Sequence, residues 1–162
     1  SFSDAYWGDV EGTGKVFMDW LVNELKPKID EEFRTLADRE HTAIAGSSMG
    51  GLMAVWSIGV MNKTFSKAAC ISPFVMKNFG QLRKDIDHKM KDPTRVYISW
   101  GGHESNSRKY LAADTSRNLK LANTFMKNGA QVYLYQAPEG MHCEASWEKE
   151  VPVFLRYLFP EL

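Results

Sequence analysis

Residues 46–50 read Gly46-Ser47-Ser48-Met49-Gly50, and this stretch decides the fold. It fits the pattern G-x-S-x-G with Ser48 at its centre. Ser47 fails as the centre because Ala45 and Met49 occupy its flanking positions. Ahead runs His41-Thr42-Ala43-Ile44-Ala45, short and strand-like; behind runs Gly51-Leu52-Met53-Ala54-Val55-Trp56-Ser57-Ile58-Gly59-Val60, which reads as a buried helix. Strand, tight turn and helix in that order hold a serine in a strained backbone, with its Oγ pushed out at the C-terminal edge of a sheet. Glycines two residues either side, Gly46 and Gly50, are expected where a Cβ would strike the neighbouring strand or helix.

Outward from this turn, strands and helices alternate. Short apolar runs over 42–45, 67–71, 95–100 and 131–136 predict four strands. Helical spacing over 14–25 carries Val16, Phe17, Trp20, Leu21 and Leu25, with Pro27 as its stop and a second short helix over 29–36. A helix over 50–60 follows the turn. Residues 107–128 predict a long helix with Leu111, Leu119, Leu121, Ala122, Phe125 and Met126 inside and Asn128-Gly129 as its C-cap. Residues 146–159 predict a last helix with Trp147, Val151, Phe154, Leu155 and Leu158 on one face. The charged stretch 76–93 reads as a surface helix and loop beside a cleft. Alternation of this kind predicts an α/β fold, a mainly parallel sheet covered by helices on both faces.

Bulk properties narrow the function classes. The 162 residues suggest one domain. A 44% hydrophobic and 25% charged composition excludes a disordered chain. Twenty basic and twenty acidic residues cancel, so no basic field exists for nucleic acid or an anionic membrane. No apolar run is long enough to span a bilayer. No secretory leader stands at the start, which leaves the compartment open with the cytoplasm as default. Cys70 and Cys143 have neither disulfide-framework nor metal-site spacing and read as free thiols.

A serine hydroxyl needs a base to take its proton, and the base needs a group to orient it. In strand–turn–helix hydrolases the chain order is serine, acid, histidine. His142 lies on a Gly-containing loop after the last strand and is the candidate base; the plain alternative is an exposed loop histidine. Glu104 lies four residues past Trp100 and is the candidate acid, against a solvated loop glutamate. Asp114 is the alternative acid, but its helical position suits a surface role better; a Ser–His pair without an acid is a further option. His88 reads as solvated, and His41 stands at the wrong end of its strand. The N–H of Met49, opening the helix after Ser48, is the candidate oxyanion donor. A second donor has no visible source. A zinc reading through His103, Glu104, His142, Cys143 and Glu144 lacks any metal-ligand spacing. Candidate substrate contacts are Trp7, in the aromatic run Phe2, Tyr6 and Trp7, with Ser47, His103 and Trp147.

Several stretches carry a family likeness. They are the helix run 17–30, the turn run 45–54, the strand run Phe65-Ser66-Lys67-Ala68-Ala69-Cys70-Ile71-Ser72-Pro73 and the loop Gly140-Met141-His142-Cys143-Glu144-Ala145-Ser146-Trp147. Together they resemble the putative esterase family of α/β-hydrolases, which includes esterase D, siderophore esterases, and feruloyl and acetyl xylan esterases. The resemblance implies a three-layer α/β/α hydrolase and an acyl-enzyme mechanism with Ser48 as nucleophile, His142 as base and Glu104 as acid. It implies no cofactor, and a small acyl, feruloyl or carbohydrate ester as substrate. A thioesterase or acyltransferase of the same fold, and a non-catalytic binding or assembly fragment, are the rival readings. Gly101-Gly102-His103-Glu104 departs from the Gly-Thr-carboxylate common in the family, so the acid loop differs. The family sheet has eight strands, and this chain matches the last four. Ser1 therefore reads as a cut boundary or the start of a separate fragment. The expectation is a partial domain over 1–162 whose elbow strand leaves a bare edge. That edge is completed by an N-terminal fragment or a second copy.

Overall fold

The computed structural model describes residues 12–75 and 79–160. Four strands, β1 (Ala43–Ser47), β2 (Lys67–Ile71), β3 (Arg95–Gly101) and β4 (Gln131–Ala137), form one sheet in the order β1-β2-β3-β4. All three pairings are parallel. All four expected strands are present: β2 has the expected bounds, β3 and β4 run one residue further, and β1 begins one residue later and ends two residues later. β2 and most of β3 are buried on both faces, which is why they read as continuous apolar runs.

Strands that succeed one another in one direction through right-handed crossovers put every connecting helix on the same face. The connecting helices α3 (Met49–Val60), α4 (Phe79–Lys89) and α5 (Arg108–Lys127) obey this rule. They bury Val55, Ile58, Leu82, Ile86, Leu121 and Phe125 against Ala68, Cys70, Val96 and Ile98. The opposite face must be covered by chain outside the crossovers. There, after the short α6 (Glu144–Trp147), α7 (Val151–Leu158) sets Phe154 and Leu158, with Trp147, on Ala69, Ile71 and Tyr97. This is an α/β/α layering with an incomplete second layer among the described residues.

Five expectations need correction. The helix over 14–25 does not stop at Pro27. α1 (Gly14–Trp20) passes through a π turn, Leu21–Leu25, straight into α2 (Lys26–Glu32). Pro27 has no N–H to donate, and its ring would strike the carbonyl one α-turn back. The wider turn just before it, closed by the Lys26 N–H on the Leu21 carbonyl, carries the helix past that conflict. The helix ends at the extended Phe33, so no second helix forms over 29–36. In α5, Leu119 and Met126 are about half exposed, while Asp114, Asn118 and Thr124 take the buried stripe. The charged stretch around α4 is more than surface: Leu82, Ile86 and Met90 are fully buried, each worth about 1.5–3 kcal/mol of burial. On the last helix, Val151 and Leu155 are exposed rather than packed with Phe154 and Leu158.

Candidate active site

Ser48 caps α3 with φ 53° and ψ −114°, a left-sided backbone that costs a serine roughly 1–3 kcal/mol. Its N–H donates to the Ile71 carbonyl, and its own carbonyl accepts from Leu52 and Phe74. The turn is thereby tied to β2 and to the chain that leaves it. Gly46 is required as expected, since a Cβ there would lie 2.4 Å from Gly50 backbone atoms. Gly50 is not: a Cβ on it meets nothing within 4 Å among the described residues. The second necessary glycine is Gly51, where a Cβ would lie 2.6 Å from the Ile71 carbonyl oxygen. The helix, one residue later than the G-x-S-x-G pattern implies, is what presses on β2.

The other two residues arrive on loops that follow β3 and β4. These loops interlock: a Cβ on Gly101 would lie 2.2 Å from the Gly140 carbonyl oxygen. The N–H groups of Gly102 and His103 donate to the carbonyls of Ala137 and Gly140 at 2.8 Å. A Cβ on Gly102 would likewise lie 2.3 Å from the Pro138 carbonyl oxygen, so neither glycine has room for a side chain, and the close approach brings Glu104 to His142. His142 Nδ1 lies 3.0 Å from Glu104 Oε2, and His142 Nε2 lies 2.8 Å from Ser48 Oγ. Glu104 is 3% exposed and His142 33%, so the acid is enclosed and the imidazole reaches solvent. The second Glu104 oxygen, Oε1, accepts from the Gly101 N–H at 2.6 Å and the Ser72 hydroxyl at 2.5 Å.

Met49 is the first residue of α3, directly after Ser48, so its N–H has no acceptor within the helix. Ser47 closes β1, half buried, in register with Ile71. Trp147 is buried; its indole meets the His142 ring edge-on at 5.0 Å and donates to Ser72 Oγ at 3.0 Å. His103 points away, exposed, with Nε2 3.6 Å from a Glu139 oxygen. Exposed pairs of that kind contribute little. Trp7 lies outside the described residues. His41 and His88 are exposed and remote from this cluster.

The expected surface role for Asp114 is overturned. It is 6% exposed on the inner side of α5, near Glu104 and His142, with Arg117 Nη1 at 3.8 Å. Burial, and next the charge of Glu104, push its carboxyl up to about 6, against opposing pulls from Arg117 and His142. A carboxyl raised on folding lowers stability as it ionises. Below about pH 4 both states are protonated and the effect is absent. Stability then falls as pH rises from about 4 to 6 and stays reduced above. Two units correspond to about 3 kcal/mol. Asp114→Asn is therefore expected to raise unfolding stability by about 2–3 kcal/mol at pH 8 and to change it little at pH 4, measured by urea denaturation. An equal effect at both pH values would contradict this account.

Sequence reasoning weighed Asp114 as the alternative acid but missed its burial, and it missed Ser72. The spacing 114, 118, 121, 122 and 125 is a clean helical stripe that points Asp114 inward. Ser72 is a polar residue directly after the apolar run 68–71 of β2, on the same sheet edge as Ser48.

The family model described as Putative esterase matches residues 10–158. The chain belongs to the putative esterase family. Solved structures agree in fold. An IroE-like serine hydrolase from Shewanella oneidensis superposes with TM-score 0.74 at 19% identity, over 96% of this chain and 52% of that one. The BES protein from Bacillus cereus gives 0.74 at 18%, over 97% and 61%. The enterobactin esterase Fes from Shigella flexneri gives 0.71 at 16%, over 90% and 37%. As a putative esterase, this chain spans less than two thirds of the length of each of these structures. The family match and the layered sheet establish the α/β-hydrolase fold. Among the described residues, no helix is long and apolar enough to cross a membrane.

Proposed function

We propose that this chain carries the catalytic residues of a serine carboxylic-ester hydrolase. The observation that carries the reading is the line of contacts from Ser48 Oγ through His142 to Glu104. Ser48 attacks the ester carbonyl. His142 Nε2 takes the serine proton and passes it to the departing alcohol. Glu104 holds the imidazole with its proton on Nδ1 and stabilises the imidazolium. The Met49 N–H, at the positive end of α3, donates to the oxyanion; each such donor lowers the barrier by about 3 kcal/mol. Water, activated by the same histidine, then releases the acid from the acyl-enzyme. No cofactor takes part. Small acyl, feruloyl or carbohydrate esters are the proposed substrates. Reaction with a fluorophosphonate probe, followed by peptide mapping, tests the reading: the label is expected on Ser48, and a folded protein that takes no label there would reject it.

The proposal extends to the bare side of the sheet. β1 has a partner on one edge only among the described residues, and Val16 and Phe17 on α1, which packs against α3, are 69% and 51% exposed. An unpaired apolar edge recruits another strand. An N-terminal segment or a second copy completes the sheet in the working protein, and the loop it brings supplies the second oxyanion donor. Light scattering with mass spectrometry on residues 1–162 alone is expected to show association or poor folding; a well-folded lone monomer would exclude this.

A further inference from the structure

The hydrogen-bond inventory around Ser72 has only one consistent direction. Trp147 Nε1–H can only donate, so Ser72 Oγ accepts from it at 3.0 Å. The one hydroxyl proton of Ser72 then goes to Glu104 Oε1, 2.5 Å away, because an ionised carboxylate can only accept. The Gly101 N–H donates to the same oxygen at 2.6 Å. With Oε1 served twice, Oε2 is the oxygen turned to His142 Nδ1. That places the imidazole proton on Nδ1 and leaves the Nε2 lone pair facing Ser48 Oγ. The loop closes on itself, since the Trp147 and His142 rings also meet edge-on, 5.0 Å between centroids.

The backbone at Ser72 points the same way. It is 3% exposed and has φ 44°, a conformation a glycine would adopt with less strain. Its N–H is already committed to the Ser99 carbonyl at 2.8 Å, so the side chain is what the strained position offers.

We propose that Ser72 is a positioning residue, relaying Trp147 to Glu104 and so fixing the tautomer and the aim of His142. The role rests on the ester-hydrolase reading for its effect on rate, but not for its effect on the imidazole. Ser72→Gly removes the hydroxyl while relaxing the backbone; Ser72→Ala removes it without that relief. In the intact protein, with histidine labelled in nitrogen-15, the His142 Nδ1–H is expected as a downfield proton resonance, lost or broadened in both variants. Fluorophosphonate labelling of Ser48 is expected to slow by about 10–100-fold, the scale on which misplaced catalytic groups act. The thermal midpoint of Ser72→Gly is expected not to fall. In a Glu104→Gln background, Ser72→Gly should add little further loss. An unchanged resonance in Ser72→Gly, or an equal loss added in the Glu104→Gln background, overturns the proposal. A normal Nδ1–H resonance in an unlabelled wild type would refute the esterase reading alone and leave the positioning role standing.

Discussion

Ester hydrolysis is expected to fall by about 10⁶-fold when Ser48 is replaced by alanine, to the level left by binding and the oxyanion donor. The size follows from geometry. Among the described residues, Ser48 Oγ at 2.8 Å is the hydrogen-bond partner of His142 Nε2. Ser47, next in sequence, closes β1 instead of entering the turn. Alanine keeps the backbone of the elbow, so folding should survive and the loss should lie in kcat. Because nucleophile and base act as a unit, His142→Ala should cost about as much, and the double variant little more. Steady-state hydrolysis of an aryl ester, with urea stability measured alongside, checks this. Activity within 100-fold of wild type would mean that Ser48 is not the nucleophile.

Glu104→Gln is expected to lower kcat by about 10⁴-fold, more than its single-atom change suggests. The Gly101 N–H and the Ser72 hydroxyl both need an acceptor at the Oε1 position. A glutamine meets that demand by placing its carbonyl oxygen there. Its amide NH₂ then faces His142 Nδ1, which must become the acceptor. The imidazole proton moves to Nε2, the atom facing Ser48, and the base can no longer take a proton. The measurement is kcat across pH, and the loss should persist at alkaline pH because it comes from the tautomer rather than from charge. A loss under tenfold would transfer the acid role to the buried Asp114.

Much of this architecture was legible because burial leaves a plain mark on strands. β2 and most of β3 are covered on both faces, so beyond Lys67, Arg95 and Ser99 their sequences are chiefly apolar. The order of Ser48, Glu104 and His142 was legible because each follows its strand within a few residues. What escaped depends on contacts between distant segments. Gly51 rather than Gly50 meets β2, which no local pattern reveals. Pro27 reads as a stop, yet a π turn lets the helix pass it. Leu119 and Met126 are good core residues by type, but lie off the stripe that α5 turns inward. Ser72 gains its meaning only when Trp147 and Glu104 close around it.

The interlocked loops after β3 and β4 have a consequence for how the chain folds. Ser48 and His142 are 94 positions apart, while β1 and β2 can meet across a single short crossover. Contacts between remote positions form late, since the intervening chain must lose its freedom first. The helices and the first strand pair can therefore assemble while the imidazole is still absent from the serine. During refolding, spectroscopic signs of structure should lead and chemical reactivity should lag, arriving only when β4 docks and Gly140 seats against Gly101. Reactivity of Ser48 toward a fluorophosphonate probe is thus expected to report the docking of the loops after β3 and β4 rather than the pairing of β1 with β2.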